Sequence, residues 1–335
     1  MSKGLKRDTC LKIVGISKNQ FYYVSNGRKP GKRPSVFTRF RDPKTLKEEL
    51  INENKMVLKI IEIKLNKDHA NWYRLITCTL RILGYFINHK KVFRLMRKHI
   101  LLEDKKVSGI KEYVQFRRVT PLRPLEVIEM DIKYVWIAGA KKYAFILTTI
   151  DTFTRYVLDW SAGYSMTSLQ VKQSWEYIIA TYYQPLGTNN NINVEVRSDN
   201  GKQFSSKEIL DFFKDNTMQK VFTHPYTPEE NAHVESFNKT LGNALDQERF
   251  ETLNDLENRL LSFYECYNNH RSHGSTKGIP PSKFWALFEQ NKIEVITLPK
   301  HRIKFKVLVK YQDILTIENI EKYDYRAKLN PQGKP

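Results

Sequence analysis

An α/β fold is predicted by this sequence: a mixed five-stranded sheet with flanking helices, preceded by all-α segments. Three observations carry that expectation. From Val127 onward, three strand-like stretches of period two precede alternating strand and helix patterns. Two helix-turn-helix patterns occupy the first hundred residues. The charge also divides between the two parts: residues 1–124 hold 30 Lys and Arg against 10 Asp and Glu, whereas residues 125–335 hold 26 of each.

The expected sections are a helix-turn-helix with a basic linker over 1–34 and a helical DNA-binding section with a second helix-turn-helix over 35–124. The sheet core is expected over 125–290, and a small basic β extension over 291–335. The whole excess of +20 thus lies in the first third, where it reads as a polyanion footprint rather than a merely solvated face. No stretch approaches the roughly 20 apolar residues of a membrane span, and Met1-Ser2-Lys3-Gly4-Leu5-Lys6-Arg7 has no apolar region behind its charges. Cys10, Cys78 and Cys266 are scattered and odd in number, which argues for a reducing compartment, the cytoplasm, and against a cysteine-rich zinc module.

In the first unit a helix through Leu11 and Val14 stops at Gly15. Ser17 and Gln20 form a capping box for a second helix, expected to run through Phe21 and Tyr22 toward Val24. Residues 27–34 are rich in basic residues and breakers, as a linker is. Residues 44–66 predict a helix packing through Leu46, Leu50, Leu58, Ile61 and Leu65. A helix from Trp72 to Leu83 ends at Gly84, and Asn88 caps another whose apolar side is Val92, Leu95 and Met96. Lys90, Lys91, Arg94, Arg97 and Lys98 occupy the rest of that helix, the division a recognition helix needs.

In the core, Ile128, Met130, Ile132, Tyr134 and Trp136 alternate with Glu129, Asp131, Lys133 and Val135 as a strand. Strands at 143–150 and 156–160, a helix at 168–183, and a strand at 193–198 follow. A helix near 206–216, a strand at 219–223 and a long helix from Asn231 complete the series. This order matches the ribonuclease H-like fold. Asp131 then lies mid-strand, Asp199 ends a strand before the Asn200-Gly201 turn, and Glu235 lies in the first turns of a helix beside a stripe of Val234, Phe237, Leu241 and Leu245. Three carboxylates meeting from separate segments can hold two divalent cations, with Mg2+ suited to oxygen ligands and Mn2+ able to replace it.

At these residues the chain resembles the integrase-type transposases of bacterial insertion sequences, specifically the second-reading-frame product of the insertion-sequence-three family. The resemblance runs through Gly15-Ile16-Ser17 to Tyr22, Gly84 to Met96, Ser198-Asp199-Asn200-Gly201 with Gln203-Phe204, Asn231-Ala232 with Glu235-Ser236-Phe237, and Tyr267-Asn268 with Arg271, His273, Pro280-Pro281 and Phe284. Departures from the family pattern are Ile128 for a tryptophan, Lys133 for a threonine, Arg197 for a histidine and Glu230 for an aspartate.

The resemblance implies a retroviral-integrase-like (DDE) catalytic core with Asp131, Asp199 and Glu235 as catalytic and metal-binding residues. It implies magnesium-dependent DNA cleavage and strand transfer at the terminal inverted repeats of an insertion sequence. The implied partners are double-stranded DNA, the first-reading-frame product as partner or fusion, and further copies of this chain on DNA, with no membrane. A catalytically silent DNA-binding regulator is the alternative.

Lys18 joins the α-helical basic residues as an expected DNA contact, while Arg271 and His273 are divided between DNA contact and a structural hydrogen bond. Asp151 reads as a structural turn carboxylate, and Glu129, on the Asp131 face, is the residue most easily mistaken for it. His224 and His233 stay outside the metal shell. Residues 298–335, with Ile303, Phe305, Val307 and Val309 alternating, read equally as a DNA contact or a strand covering the core.

Overall fold

The computed structural model describes residues 7–22, 34–103, 119–186, 193–222, 231–299 and 302–317. Contacts divide the chain between Ser35 and Val36. In the first unit, α1 (Arg7–Val14) ends at Gly15, whose φ of +71° is open to a residue without Cβ. Ser17 then caps α2 (Lys18–Phe21): its Oγ accepts from Gln20 N at 3.2 Å, and Gln20 Oε1 accepts from Ser17 N at 2.8 Å. The capping box is as expected, but α2 is a single turn. Val24, the expected end of that helix, lies outside the described residues.

The second unit spans Val36–Pro335 and holds the remaining described elements. The all-α expectation for the section after residue 35 is corrected. A three-stranded antiparallel sheet orders β1 (Thr38–Arg41) between β2 (Glu48–Ile51) and β3 (Tyr85–Phe86). Asp42 makes the hairpin, its Oδ1 accepting from Lys44 N at 2.7 Å and Thr45 N at 2.9 Å. This side-chain turn outcompetes the helix expected from residue 44, which begins only after the Asn52 cap as α3 (Glu53–Leu65). The buried face of α3 is Met56, Val57, Ile60 and Ile63, while Leu46, Leu50, Leu58 and Leu65 are exposed. The leucines marked the wrong face: the buried stripe of Met56, Val57, Ile60 and Ile63 recurs at helical spacing one position away from Leu58.

Next come α4 (Tyr73–Ile82), the Gly84 turn, and α5 (His89–Lys98), capped by Asn88 and buried through Val92, Leu95 and Met96. These elements share a core with α3.

The main sheet is β6-β5-β4-β7-β8: β4 (Val127–Ile137), β5 (Lys142–Asp151) and β6 (Val157–Gly163) are antiparallel, and β7 (Glu195–Ser198) and β8 (Gln219–Phe222) run parallel to β4. Central β4 between a meander and a parallel pair is the ribonuclease H-like order. Its even-numbered residues Ile128, Met130 and Ile132 pack with Val171 and Trp175 of α6 (Ser168–Ile178) and with Phe213 of α8 (Lys207–Asp215), which follows the short α7 (Lys202–Ser205). The opposite face of the sheet is covered by α9 (Ala232–Ala244) and α10 (Leu253–Asn269) through Val234, Phe237, Leu241, Leu260 and Tyr264. Each large apolar side chain so buried stabilises the fold by about 1.5–3 kcal/mol.

After α11 (Pro281–Glu289), a hairpin of β9 (Ile293–Leu298) and β10 (Arg302–Val307) buries Phe305 against Phe153 and Phe284. Of the two roles open for this region, the described part serves as cover for the core. The same cluster takes in Ile82 of α4. Asp68 adds a polar staple: Arg259 donates to its carboxylate at 2.6 and 3.1 Å and Arg271 to its carbonyl at 2.6 Å. Thr79 and Ser272 share a hydroxyl hydrogen bond of 2.9 Å. Among the described residues no helix is long and apolar enough to cross a membrane.

Candidate active site

The odd-numbered side chains of β4 face α9, and strand and helix advance together. Glu129 takes the helix start: its Oε2 accepts from His233 N at 2.9 Å and Val234 N at 2.8 Å, and its Oε1 lies 2.7 Å from His233 Nδ1. Asp131 comes next, its Oδ2 accepting from Asn238 Nδ2 at 2.7 Å. Lys133 follows, its Nζ 3.2 Å from where a Cβ on Gly242 would stand. Two strand residues rise about 6.6 Å and four to five helical residues about 6–7.5 Å, so the register is sustained over all three contacts.

Asp199 directly follows β7, the strand next to β4, and its Oδ1 accepts from Gly201 N at 3.0 Å, turning the chain away. The pairing of Glu129 with Arg197 brings Asp131 and Asp199 to adjacent positions just past the paired stretch. Burial raises the Asp131 carboxyl to about 6; the nearby Asp199 charge adds to the rise, against the hydrogen bonds from Ile132 N and Asn238 and the charge of Lys133.

Lys220 of β8 was missed by sequence reasoning, which had no signal for a lysine in a short strand. Its Nζ donates to Ser198 Oγ and lies 4.7 Å from the Phe222 ring centroid. Burial lowers its pKa to about 7, against the pull of Asp199.

Glu235 is exposed on α9, one turn before Asn238 and on the neighbouring position of the same face. The structure thus brings Asp131 and Asp199 into electrostatic contact and ties Asp131 to the helix that bears Glu235. Among the described residues, no three His, Cys, Asp or Glu side chains are gathered so as to hold a metal ion. The donors nevertheless suit one in kind. They are all oxygens, the charge of exposed Asp199 acts on the partly buried Asp131 carboxyl, and Asn238 Oδ1 is buried without a partner among the described residues.

Other expected residues divide. Glu129 is fully buried and caps a helix, so it is no rival to Asp131. Asp151 is the structural carboxylate expected, accepting from Leu125 N at 2.9 Å and from Thr154 N and Oγ1 at 2.7 and 2.5 Å. On α5, Lys90, Arg97 and Lys98 are exposed. Lys91 instead donates to the Phe37 carbonyl at 2.8 Å and Arg94 pairs with Glu53, so these two hold the helix to its neighbours. Lys18 is exposed, 3.9 Å from Asp8. Arg271 is engaged by the Asp68 carbonyl, and the His273 ring packs on Tyr267 with centroids 4.5 Å apart, which favours their structural role. His224 lies outside the described residues.

Residues 121–228 and 216–281 each match a family model described as an integrase core domain. Over residues 121–281, which include the five-stranded sheet and the helix bearing Glu235, the chain is thus similar to integrase core domains, and the relatives it resembles belong to insertion elements. It is 25% identical over 227 residues to the uncharacterized 39.2 kDa protein of insertion element IS476 from Xanthomonas euvesicatoria, over 67% of this chain and 63% of that protein. It is 23% identical over 290 residues to InsK of insertion sequence element IS150 from Escherichia coli, over 83% of this chain and 92% of InsK. The transposase for insertion sequence element IS904 from Lactococcus lactis is 25% identical over 223 residues, 62% of this chain and 85% of that one. Among solved structures, the catalytic core domain of BIV integrase matches at 24% identity and a TM-score of 0.38, over 50% of this chain and 98% of that one.

Proposed function

We propose that this protein is a DDE-type polynucleotidyl transferase that binds the terminal inverted repeats of an insertion sequence and cuts and joins DNA there. The observation that carries the reading is the tie between Asp131 and Asn238 on the helix bearing Glu235, with the Asp199 charge beside it. Asp131, Asp199 and Glu235 would hold divalent cations, and Asn238 orients Asp131 through Oδ2.

Two such ions, Mg2+ or Mn2+, supply an activated attacking oxygen and a stabilised leaving oxygen. Lys133 and Lys220 flank the aspartates with positive charge suited to a DNA phosphate. Lys90, Arg97 and Lys98 present the outer side of α5 to a DNA backbone. Further copies of this chain and the first-reading-frame product of the same element are the protein partners the reading calls for.

The test is an end-labelled duplex carrying the DNA that flanks the protein's own gene, incubated with the full chain and Mg2+. Joined product is expected, lost in Asp199→Asn with DNA binding retained. Cut but unjoined product would make it a nuclease, and binding alone a silent regulator. Joining by Asp199→Asn at the wild-type rate would remove the site assignment.

A further inference from the structure

Glu129 is fully buried, and a lone carboxylate there would be costly. Three N–H groups offset that cost, all from the first turn of α9: His233 N at 2.9 Å, Val234 N at 2.8 Å and His233 Nδ1 at 2.7 Å. Two of these are backbone donors that a helix start leaves without intrahelical partners, where the helix dipole is positive. Arg197 neighbours Glu129 across the sheet, and the Glu129 charge reaches Arg155. A helix starting in water would need no such anchor, whereas a helix that must begin at one fixed height on β4 does. Glu235 sits one residue beyond Val234 and three before Asn238, which is itself fixed to Asp131 at 2.7 Å. Both ends of the segment bearing Glu235 are therefore pinned to one strand, two residues apart.

We propose that Glu129 is a positioning residue: by clasping His233 and Val234 it sets the height of the Glu235 carboxylate over Asp131 and Asp199, and through it the cation affinity of the three. This rests on the reading that those carboxylates hold the cation. The proposal assigns Glu129 no contact with cation or DNA. Its effect runs through the backbone of α9.

The test is calorimetric titration of Mn2+ into the full-length metal-free protein at pH 7.5, with thermal melting of the same samples before metal is added. Glu235→Gln is the reference and should weaken Mn2+ binding at least about 10-fold, while Glu129→Gln should weaken it about 10-fold, as loss of an orienting partner does. His233→Gln, which leaves the backbone donors and the carboxylate in place, should weaken it by a smaller factor and serves if Glu129→Gln does not fold.

A carboxylate that served the fold alone would lower the melting temperature and leave Mn2+ affinity at the wild-type value. That result, with Glu235→Gln still weakened, overturns the positioning role and leaves the three-carboxylate site standing. Equal binding by wild type and Glu235→Gln, or none by either, overturns the site itself and the positioning role with it.

Discussion

Asn238 Nδ2 donates to Asp131 Oδ2 at 2.7 Å, joining the middle of the central strand to the second turn of the helix that carries Glu235. One amide thereby fixes the direction of a carboxylate whose ionisation burial opposes. The folded protein protonates Asp131 near 6, against an ordinary 3.8. Its ionised form therefore destabilises the metal-free fold above about pH 6, a penalty that fades as pH falls toward 3.8. Asp131→Asn should raise stability at pH 7.5 by about 1–3 kcal/mol without metal, and by little at pH 4, while abolishing strand joining. Denaturant melts at the two pH values, beside the joining assay, check this. A destabilised Asp131→Asn at pH 7.5 would mean that the carboxylate serves the fold.

The basic residues of α5 should separate into two kinds. Replacing Lys90, Arg97 and Lys98 together with alanine should lower the slope of log binding constant against log salt by about 1 for each phosphate no longer neutralised, with melting unchanged. Lys91→Ala and Arg94→Ala should instead lower the melting temperature, because they lose the Phe37 carbonyl and the Glu53 carboxylate. Equal salt slopes for wild type and the triple variant would place DNA docking elsewhere.

His273 should make the fold acid-sensitive. Burial pushes its pKa down to about 3, and its Nε2 is buried without a partner among the described residues. The unfolded chain takes a proton near 6.5 that the folded chain refuses, so stability is full above 6.5 and falls as pH drops below it. Between pH 7 and 5.5 this group should cost about 1 kcal/mol. His273→Gln should flatten that part of the pH profile, and an unchanged slope would show that the ring is protonated in place.

Gly242 lies inside α9 with only the flexible tip of Lys133 near its missing Cβ, at 3.2 Å. A lysine tip can withdraw, so Gly242→Ala should stabilise the protein by about 0.5–1 kcal/mol through helix propensity. A loss of stability on thermal melting would mean that Lys133 is locked where it stands.

Much of the core was legible in the sequence because its elements are periodic and bounded by turn residues. β4 reads as alternating Ile128, Met130 and Ile132 against Glu129 and Asp131, and α9 as the stripe from Val234 to Leu245. What escaped depended on partners distant in the chain. Glu129 looked like a possible ligand because no local pattern tells a carboxylate that caps a helix 104 residues on from one that faces solvent. Lys91 and Arg94 looked like DNA contacts because charge alone does not reveal a neighbouring carbonyl or Glu53. The hairpin at Asp42 was hidden under leucines spaced as a helix would space them.

Ile82 lies in the same apolar cluster as Phe305 and Ile314, while Asp68 is gripped by Arg259 and Arg271. Exchanging residues 36–103 for the matching stretch of a relative would therefore leave a hole beneath the carboxy-terminal hairpin and two guanidinium groups without their acceptor. The outer side of α5 is accordingly better varied by single substitutions than by wholesale grafting, and a folded chimaera would have to carry its own Phe305 and Arg259 neighbours along.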